Sequence, residues 1–417
     1  MSSQVLFHRI RVRLDEPSLG DVAARTDETL GACGVTLAAG SEVAIAIGSR
    51  GIGSLVTVVG RVVAWVRAQG ATPFLVPAMG SHGGATDEGQ REVLESYGFG
   101  NEWESCAIRS SMDVVAVSGE HDLPVSIVTD ANASVASATI LVNRVKQHTD
   151  FHGRYESGLM KMAAIGLGKR VQAEALHAFG TYGLRELMPK VAEHVLANAN
   201  IVLGVALVEN ALDETMLVEA IPAASISSVE PALLVSAAAH APRLPVDALD
   251  VLLIDRMGKD ISGAGMDTNV SGRVMINGEV DPPAPRISMI AVHGLTAPSH
   301  GNATGMGLAD VVTRQLADTI DHDVTRTNVV TSGFLLRGKL PVVAGDDQQA
   351  WELCLRGAGV VDRAAVRAAR IVDTLHCSQL WVTDAVLAEL EGRPDIEILE
   401  RAVPLHDHDG SLRPFAG

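Results

Sequence analysis

The chain has 417 residues, 47% of them hydrophobic, enough to bury a large core and to divide into about two domains of roughly 100–200 residues each. Its 33 Lys and Arg face 50 Asp and Glu, a formal charge of −17, and no basic run interrupts the acidity, which argues against nucleic acid as a partner because phosphate binding needs a clustered positive face. Cys33, Cys106, Cys354 and Cys377 lie far apart without a C-x-x-C pair, which excludes a disulfide framework or zinc knuckle and fits the reducing cytoplasm. The start, MSSQVLFHRIRVRLDEP, lacks the apolar core of a signal peptide, and no apolar run approaches the roughly 20 residues of a membrane helix.

In chain order, VAIAI (43–47) reads as a buried strand, residues 54–70 as a helix ended by Gly70, and PFLVPAM (73–79) as the next strand, a βαβ unit. Residues 86–99 follow as a helix with acids in its first turn, where they complement the dipole. ATILVNRV (138–145) is a third strand, and residues 202–221 form a hairpin about Ala211 to Glu214. Two prolines near residue 240 mark a boundary. Beyond it the alternation resumes, with strands at 250–257, 287–295, 371–375 and 380–384, helices at 308–320 and 346–359, and an irregular tail. The fold class is therefore α/β, with two domains at 1–240 and 241–417, each a mostly parallel sheet flanked by helices.

Three polar segments follow strands: GSRGIG (48–53), MGSHGGAT (79–86) and the stretch from His148 to His177, HTDFHGRYESGLMKMAAIGLGKRVQAEALH. Ligands of open α/β sheets bind outside the carboxyl ends of strands, so these loops are candidates for one site. Familiar motifs fail there. Gly51-Ile52-Gly53 continues to Val56, not to the close-packing Gly or Ala of a dinucleotide fingerprint. IGLGKR has Ala163 and Arg170 where a phosphate loop needs Gly and Ser or Thr, and Met79 stands where a nucleophile elbow needs its first Gly.

The segments VPAMGSHGGAT, NRVKQHTDF and ESGLMKMAAIGLGK, with a histidine downstream, resemble the nickel-pincer-nucleotide lactate racemase family and its shorter homologues over most of the first 240 residues. The resemblance implies a nickel-pincer nucleotide, a pyridinium thioamide/thiocarboxylate mononucleotide, tethered to Lys161 of Ser157-Gly158-x-x-Lys161, with His177, sixteen residues later, as the nickel ligand. It implies His82 and His148 as the two general bases and Arg50 as a contact of the anionic substrate. Lys259 of GKDISGAGMDTNVSGR is the matching carboxylate contact in the second half. Ile47 stands where the family has an acidic residue before that arginine, and Gln147 where a proline is usual. His152, four residues after His148, competes for the second base. On this reading residues 1–240 are a cofactor-binding racemase domain, residues 241–417 close the cleft in which the active site lies, and the substrate is a small 2-hydroxy acid.

The chemistry accounts for these residue types. The α-hydrogen of a 2-hydroxy acid sits beside a carboxylate, so its removal as a proton would build a second negative charge next to the first. Hydride transfer to an electrophilic ring avoids that, while a histidine takes the hydroxyl proton. Two bases serve the two enantiomers. Lys161 must react as a free amine, which burial and nearby cations such as Lys169 or Arg154 favour. Each residue also has a plainer reading. Lys161 fits a snorkelling lysine, His177 a core histidine, Arg50 a cap of backbone carbonyls, and Asp150, Arg154 and Glu156 a surface ion network. The joint pattern outweighs them. Two other functions stay open: a non-catalytic protein that binds or stores the pincer cofactor, and a cofactor-independent racemase in which His82 and His148 exchange a carbon-bound proton.

Overall fold

The computed structural model describes residues 5–14, 16–48, 51–100 and 103–415. The chain forms two compact units, Glu16–Ala241 and Pro242–Gly417, the latter joined by Met1–Asp15. Strand β1 (Leu6–Val12) opens the chain and belongs to the C-terminal unit. The N-terminal unit holds β2 (Glu42–Ile47), β3 (Thr72–Pro77), β4 (Val114–Ala116), β5 (Val128–Asp130), β6 (Ala138–Arg144), β7 (Ile201–Glu209) and β8 (Thr215–Pro222).

Five of these make a sheet in the order β3-β2-β6-β7-β8, parallel except for the final β7–β8 hairpin. Strand β2, paired on both sides, is buried on both faces, which is why EVAIAI is apolar almost throughout. Successive residues nevertheless feed different cores. Val43, Ile45 and Ile47 pack with the helix Leu55–Ala68, whose Leu55, Val58, Val59, Val62 and Val66 recur at helical spacing. Ala44 and Ala46 face the other core, with Ala206 of β7 and the helical residues Leu159, Met160, Met162 and Leu176. Small side chains on that face let a helical run lie close to the sheet.

The C-terminal unit adds β9 (Ala248–Met257), β10 (Arg286–Leu295), β11 (Val311–Thr313), β12 (Val342–Ala344), β13 (Ala368–Ile371), β14 (Gln379–Thr383) and β15 (Ile396–Pro404). Its eight-stranded sheet has the order β12-β11-β10-β9-β13-β14-β1-β15, with β12 to β13 parallel and the rest antiparallel. Both sheets are thus parallel-rich and flanked by helices. Two sequence expectations need correction here. Residues 308–320 are not one helix: Val311–Thr313 is a strand between β10 and β12, and Thr313 then caps the short helix Arg314–Asp318 through its hydroxyl. A β-branched VVT fits the sheet better than a helix start. The strand expected at 371–375 ends at Ile371, because the buried Asp373 turns the chain by accepting the amides of Leu375 and His376. No helix among the described residues is long and apolar enough to cross a membrane.

Candidate functional site

Parallel pairing of β3, β2 and β6 brings their carboxyl ends, from which the three polar segments leave, to one edge of the N-terminal sheet. Two of these loops lock onto the helical residues 159–177. The Gly80 amide donates to the Gly166 carbonyl at 3.2 Å, and a Cβ on Gly166 would lie 2.7 Å from the carbonyl oxygen of Ala78, so only glycine allows that approach. The β6 loop doubles back on itself, with reciprocal amide bonds between Lys146 and Ser157 at 2.9 and 3.2 Å, and delivers Gly158 to the start of the helical run. Asn143, at the end of β6, donates its side-chain amide to the Gly158 carbonyl at 2.9 Å.

The run itself is irregular in ways that shape the site. It starts at Leu159, passes through a wide turn closed by the Leu167 amide on the Met162 carbonyl at 2.9 Å, and breaks at Lys169, whose φ is +52°. A straight helix would separate Lys161 and His177 by about 24 Å. The break redirects the chain into the second helix, Lys169–His177, and His177 is within reach of the Lys161 charge. Insertions of this type inside helices concentrate at functional sites.

Lys161 Nζ lies 2.6 Å from His148 Nε2. The Asp150 amide donates to His148 Nδ1 at 3.1 Å, which leaves Nε2 as the ring nitrogen turned to Lys161. Burial holds the His177 imidazole below its ordinary range; positive charge on Lys161, when the amine is protonated, pushes the same way, and Asp150 opposes both.

Glu156 orders the loop that carries His148. It is buried, not part of a surface ion network, and accepts the His148 amide at 2.6 Å, the Gly153 amide at 3.2 Å and the His152 ring at 3.2 Å. The ring of His148 also lies on Phe151, with centroids 4.7 Å apart. Of the two rival histidines, His148 is thus the one in contact with Lys161, whereas His152 turns its Nδ1 to Glu156.

His82 is exposed, at the head of a turn in which Gly83, Gly84 and Ala85 all have left-handed φ. A Cβ on Gly83 would meet the Gln90 amide nitrogen at 2.6 Å, so the Gly-Gly pair is a backbone requirement. Gln90 clamps this loop, donating to the carbonyls of Gly80 and His82 at 2.8 and 3.2 Å, and in turn accepts from Lys169 at 3.1 Å. Lys169 is fully buried, donates to the Pro77 carbonyl at 2.5 Å and pairs with Asp130 at 2.9 Å. Expected as a cation that frees Lys161, it instead ties β3, β5 and the His82 loop together. Lys259 lies in the C-terminal unit, where its amine donates to the Gly263 carbonyl at 2.5 Å and to Asn328 at 2.9 Å. Arg50 falls outside the described residues.

Sequence reasoning missed Asn143, Gln90 and Glu230 as parts of this site. Glu230 had a signal: it is the one charged residue in the otherwise apolar or small helix ISSVEPALLVSAAA (Ile226–Ala239), and it is buried. A charge at such a position needs a partner.

No family model and no curated protein matches the sequence. Among solved structures the chain is similar to the lactate racemase apoprotein from Thermoanaerobacterium thermosaccharolyticum, with a TM-score of 0.49 and 9% identity over 89% of this chain and 99% of that one.

Proposed function

We propose that this chain is an isomerase that racemises or epimerises a 2-hydroxy acid, with a nickel-pincer nucleotide held through Lys161 and His177. The observation that carries the reading is the contact of Lys161 with His148 at 2.6 Å, on the same helical stretch as a His177 imidazole that burial holds below its ordinary range. The donor chemistry fits such a group. An amine with a lone pair can bond to an acyl-type carbon, and an imidazole kept neutral by burial can give its lone pair to a metal. No group of three His, Cys, Asp or Glu side chains among the described residues is placed to hold a metal ion, so a nickel here would take the imidazole of His177 and bring its other donors with it. When bound, the pyridinium group supplies an acceptor for the substrate's α-hydride.

The remaining work falls to the chain's own groups. His148, in a loop fixed by Glu156, is assigned as the first base. His82, on the neighbouring loop, is the second base, which a reaction on both enantiomers requires. Arg50 is assigned to the substrate carboxylate.

The test is coexpression with a pincer-nucleotide pathway, followed by nickel analysis, peptide mass spectrometry and turnover of α-deuterated 2-hydroxy acids. The expected result is nickel near one per chain, a mass increment on the peptide that contains Lys161, and retention of deuterium at the α-carbon. Folded, coexpressed protein with neither nickel nor the increment overturns the reading. Nickel and increment without turnover would indicate a cofactor-binding protein, and loss of deuterium to water would indicate proton exchange between His82 and His148.

A further inference from the structure

The first turn of the Lys161 helix lacks an ordinary cap. Its N-cap position is Gly158, which has no side chain to accept the exposed amides of the first turn. The acceptor comes from a different helix, 70 residues away in sequence: Glu230 Oε2 accepts the Met160 amide at 2.9 Å. The glycine makes room for it, since a Cβ on Gly158 would lie 2.5 Å from Glu230 Oε1. Glu230 is 1% exposed, and its Oε1 is buried without a hydrogen-bond partner, so the carboxyl is held in an apolar setting for the sake of the one oxygen in use. Nearby, the Tyr155 hydroxyl donates to the Ser227 carbonyl at 2.7 Å, which fixes the same helix to the loop before Gly158. Asn143 holds the Gly158 carbonyl from the other side. The backbone one residue before Lys161 is therefore gripped by a distant acid.

We propose that Glu230 is a positioning residue for the Lys161 amine: by accepting the Met160 amide it sets the first helical turn, and with it the reach of Lys161 to His148. Its importance for function rests on the assignment of Lys161 as the cofactor tether, but the positioning itself does not depend on any cofactor.

The experiment is competitive acetylation of the full chain, on material whose mass shows an unmodified Lys161, with the exposed Lys190 as the internal reference. Glu230→Gln keeps an acceptor oxygen of the same reach, whereas Glu230→Met keeps the volume and removes it. In Glu230→Met the Lys161 rate relative to Lys190 should change by about tenfold or more, in keeping with the steep cost of misplacing a reactive group, while Glu230→Gln stays within about twofold of the parent. Packing alone would leave both variants like the parent; that outcome, or an equal change in both, overturns the proposal. Should Glu230→Met fail to fold, Gly158→Ala displaces the carboxyl by direct contact and must reproduce the change in Lys161 rate; a parental rate there overturns the proposal as well. Because no cofactor enters the assay, its result is independent of whether the protein racemises anything.

Discussion

Lys161 and Lys169 lie eight residues apart on one helical stretch and live in opposite surroundings. Lys161, half-buried in the first turn, meets the Nε2 of a histidine whose other nitrogen is already satisfied. Lys169, at the break, is wholly buried and surrounded by the Pro77 carbonyl, Gln90 and Asp130. Burial pushes the Lys169 ammonium below its ordinary range, and Asp130 opposes it. Two of the ammonium hydrogens reach acceptors, the Pro77 carbonyl and Gln90, and Asp130 supplies the counter-charge. One lysine is set up to react and the other to hold strands and loops in register. The comparison shows that a short distance along a helix tells little about chemistry when the helix is broken between the two residues.

The largest effect should follow from removing the structural lysine. Lys169→Met leaves Asp130 buried without its counter-charge and releases Gln90 from the His82 loop. Loss of one member of such a pair costs about 3–5 kcal/mol, read as a lower urea midpoint with the slope unchanged. Pairing it with Asp130→Leu should recover part of the loss. A single substitution that costs under about 1 kcal/mol would collapse the contrast between the two lysines.

A second, smaller effect tests the grip on the Lys161 side of the break. Burial pushes the Glu230 carboxyl from an ordinary 4.5 up to about 7, against the backbone amides of Met160 and Leu159, which pull it down. The folded state therefore binds this proton more tightly than the unfolded chain. The stability it contributes is full below pH 4.5 and is lost as pH rises through about 7. A shift of this size corresponds to about 3 kcal/mol. Tyr155, the other titratable group coupled to Glu230, stays neutral across this window because its own value is raised. Unfolding free energies of parent and Glu230→Gln, measured from pH 4.5 to 8, should therefore diverge, the parent losing stability relative to the variant as pH rises. Parallel curves would mean that the carboxyl is not protonated on folding.

What the sequence makes legible is the repeating part. Residues 43–47, 54–70, 73–79 and 138–145 fall within a residue or a few of β2, the helix Leu55–Ala68, β3 and β6, because buried parallel strands and amphipathic helices carry strong periodic patterns. The joining of β1 to the far end of the chain is illegible, since LFHRIRV pairs with β14 and β15 across more than 360 residues and nothing local encodes that. At the candidate site the pattern from Ser157 to His177 identifies the region but not its shape. GLGK fails as a phosphate loop; its physical role is a close approach at Gly166 and a left-handed break at Lys169. Glu230 and Gln90 act at a distance, through side-chain contacts that no spacing rule anticipates.

The smallest effect belongs to the reactive lysine. Lys161→Met removes the amine beside His148, while Nδ1 of that ring keeps the Asp150 amide. The methionine can follow the aliphatic stem, in a stretch where Met160 and Met162 are already buried in the core. The first turn, held by Glu230 and Asn143, depends on backbone groups that the substitution does not touch. Stability should therefore change by no more than about 1 kcal/mol, as for a typical replacement that creates neither a cavity nor an unpaired buried group. The measurement is the same urea unfolding series used for Lys169→Met. If Lys161→Met proves as costly as Lys169→Met, then Lys161 is a structural lysine like its neighbour, and the chemical reason for placing a covalent tether at this residue fails.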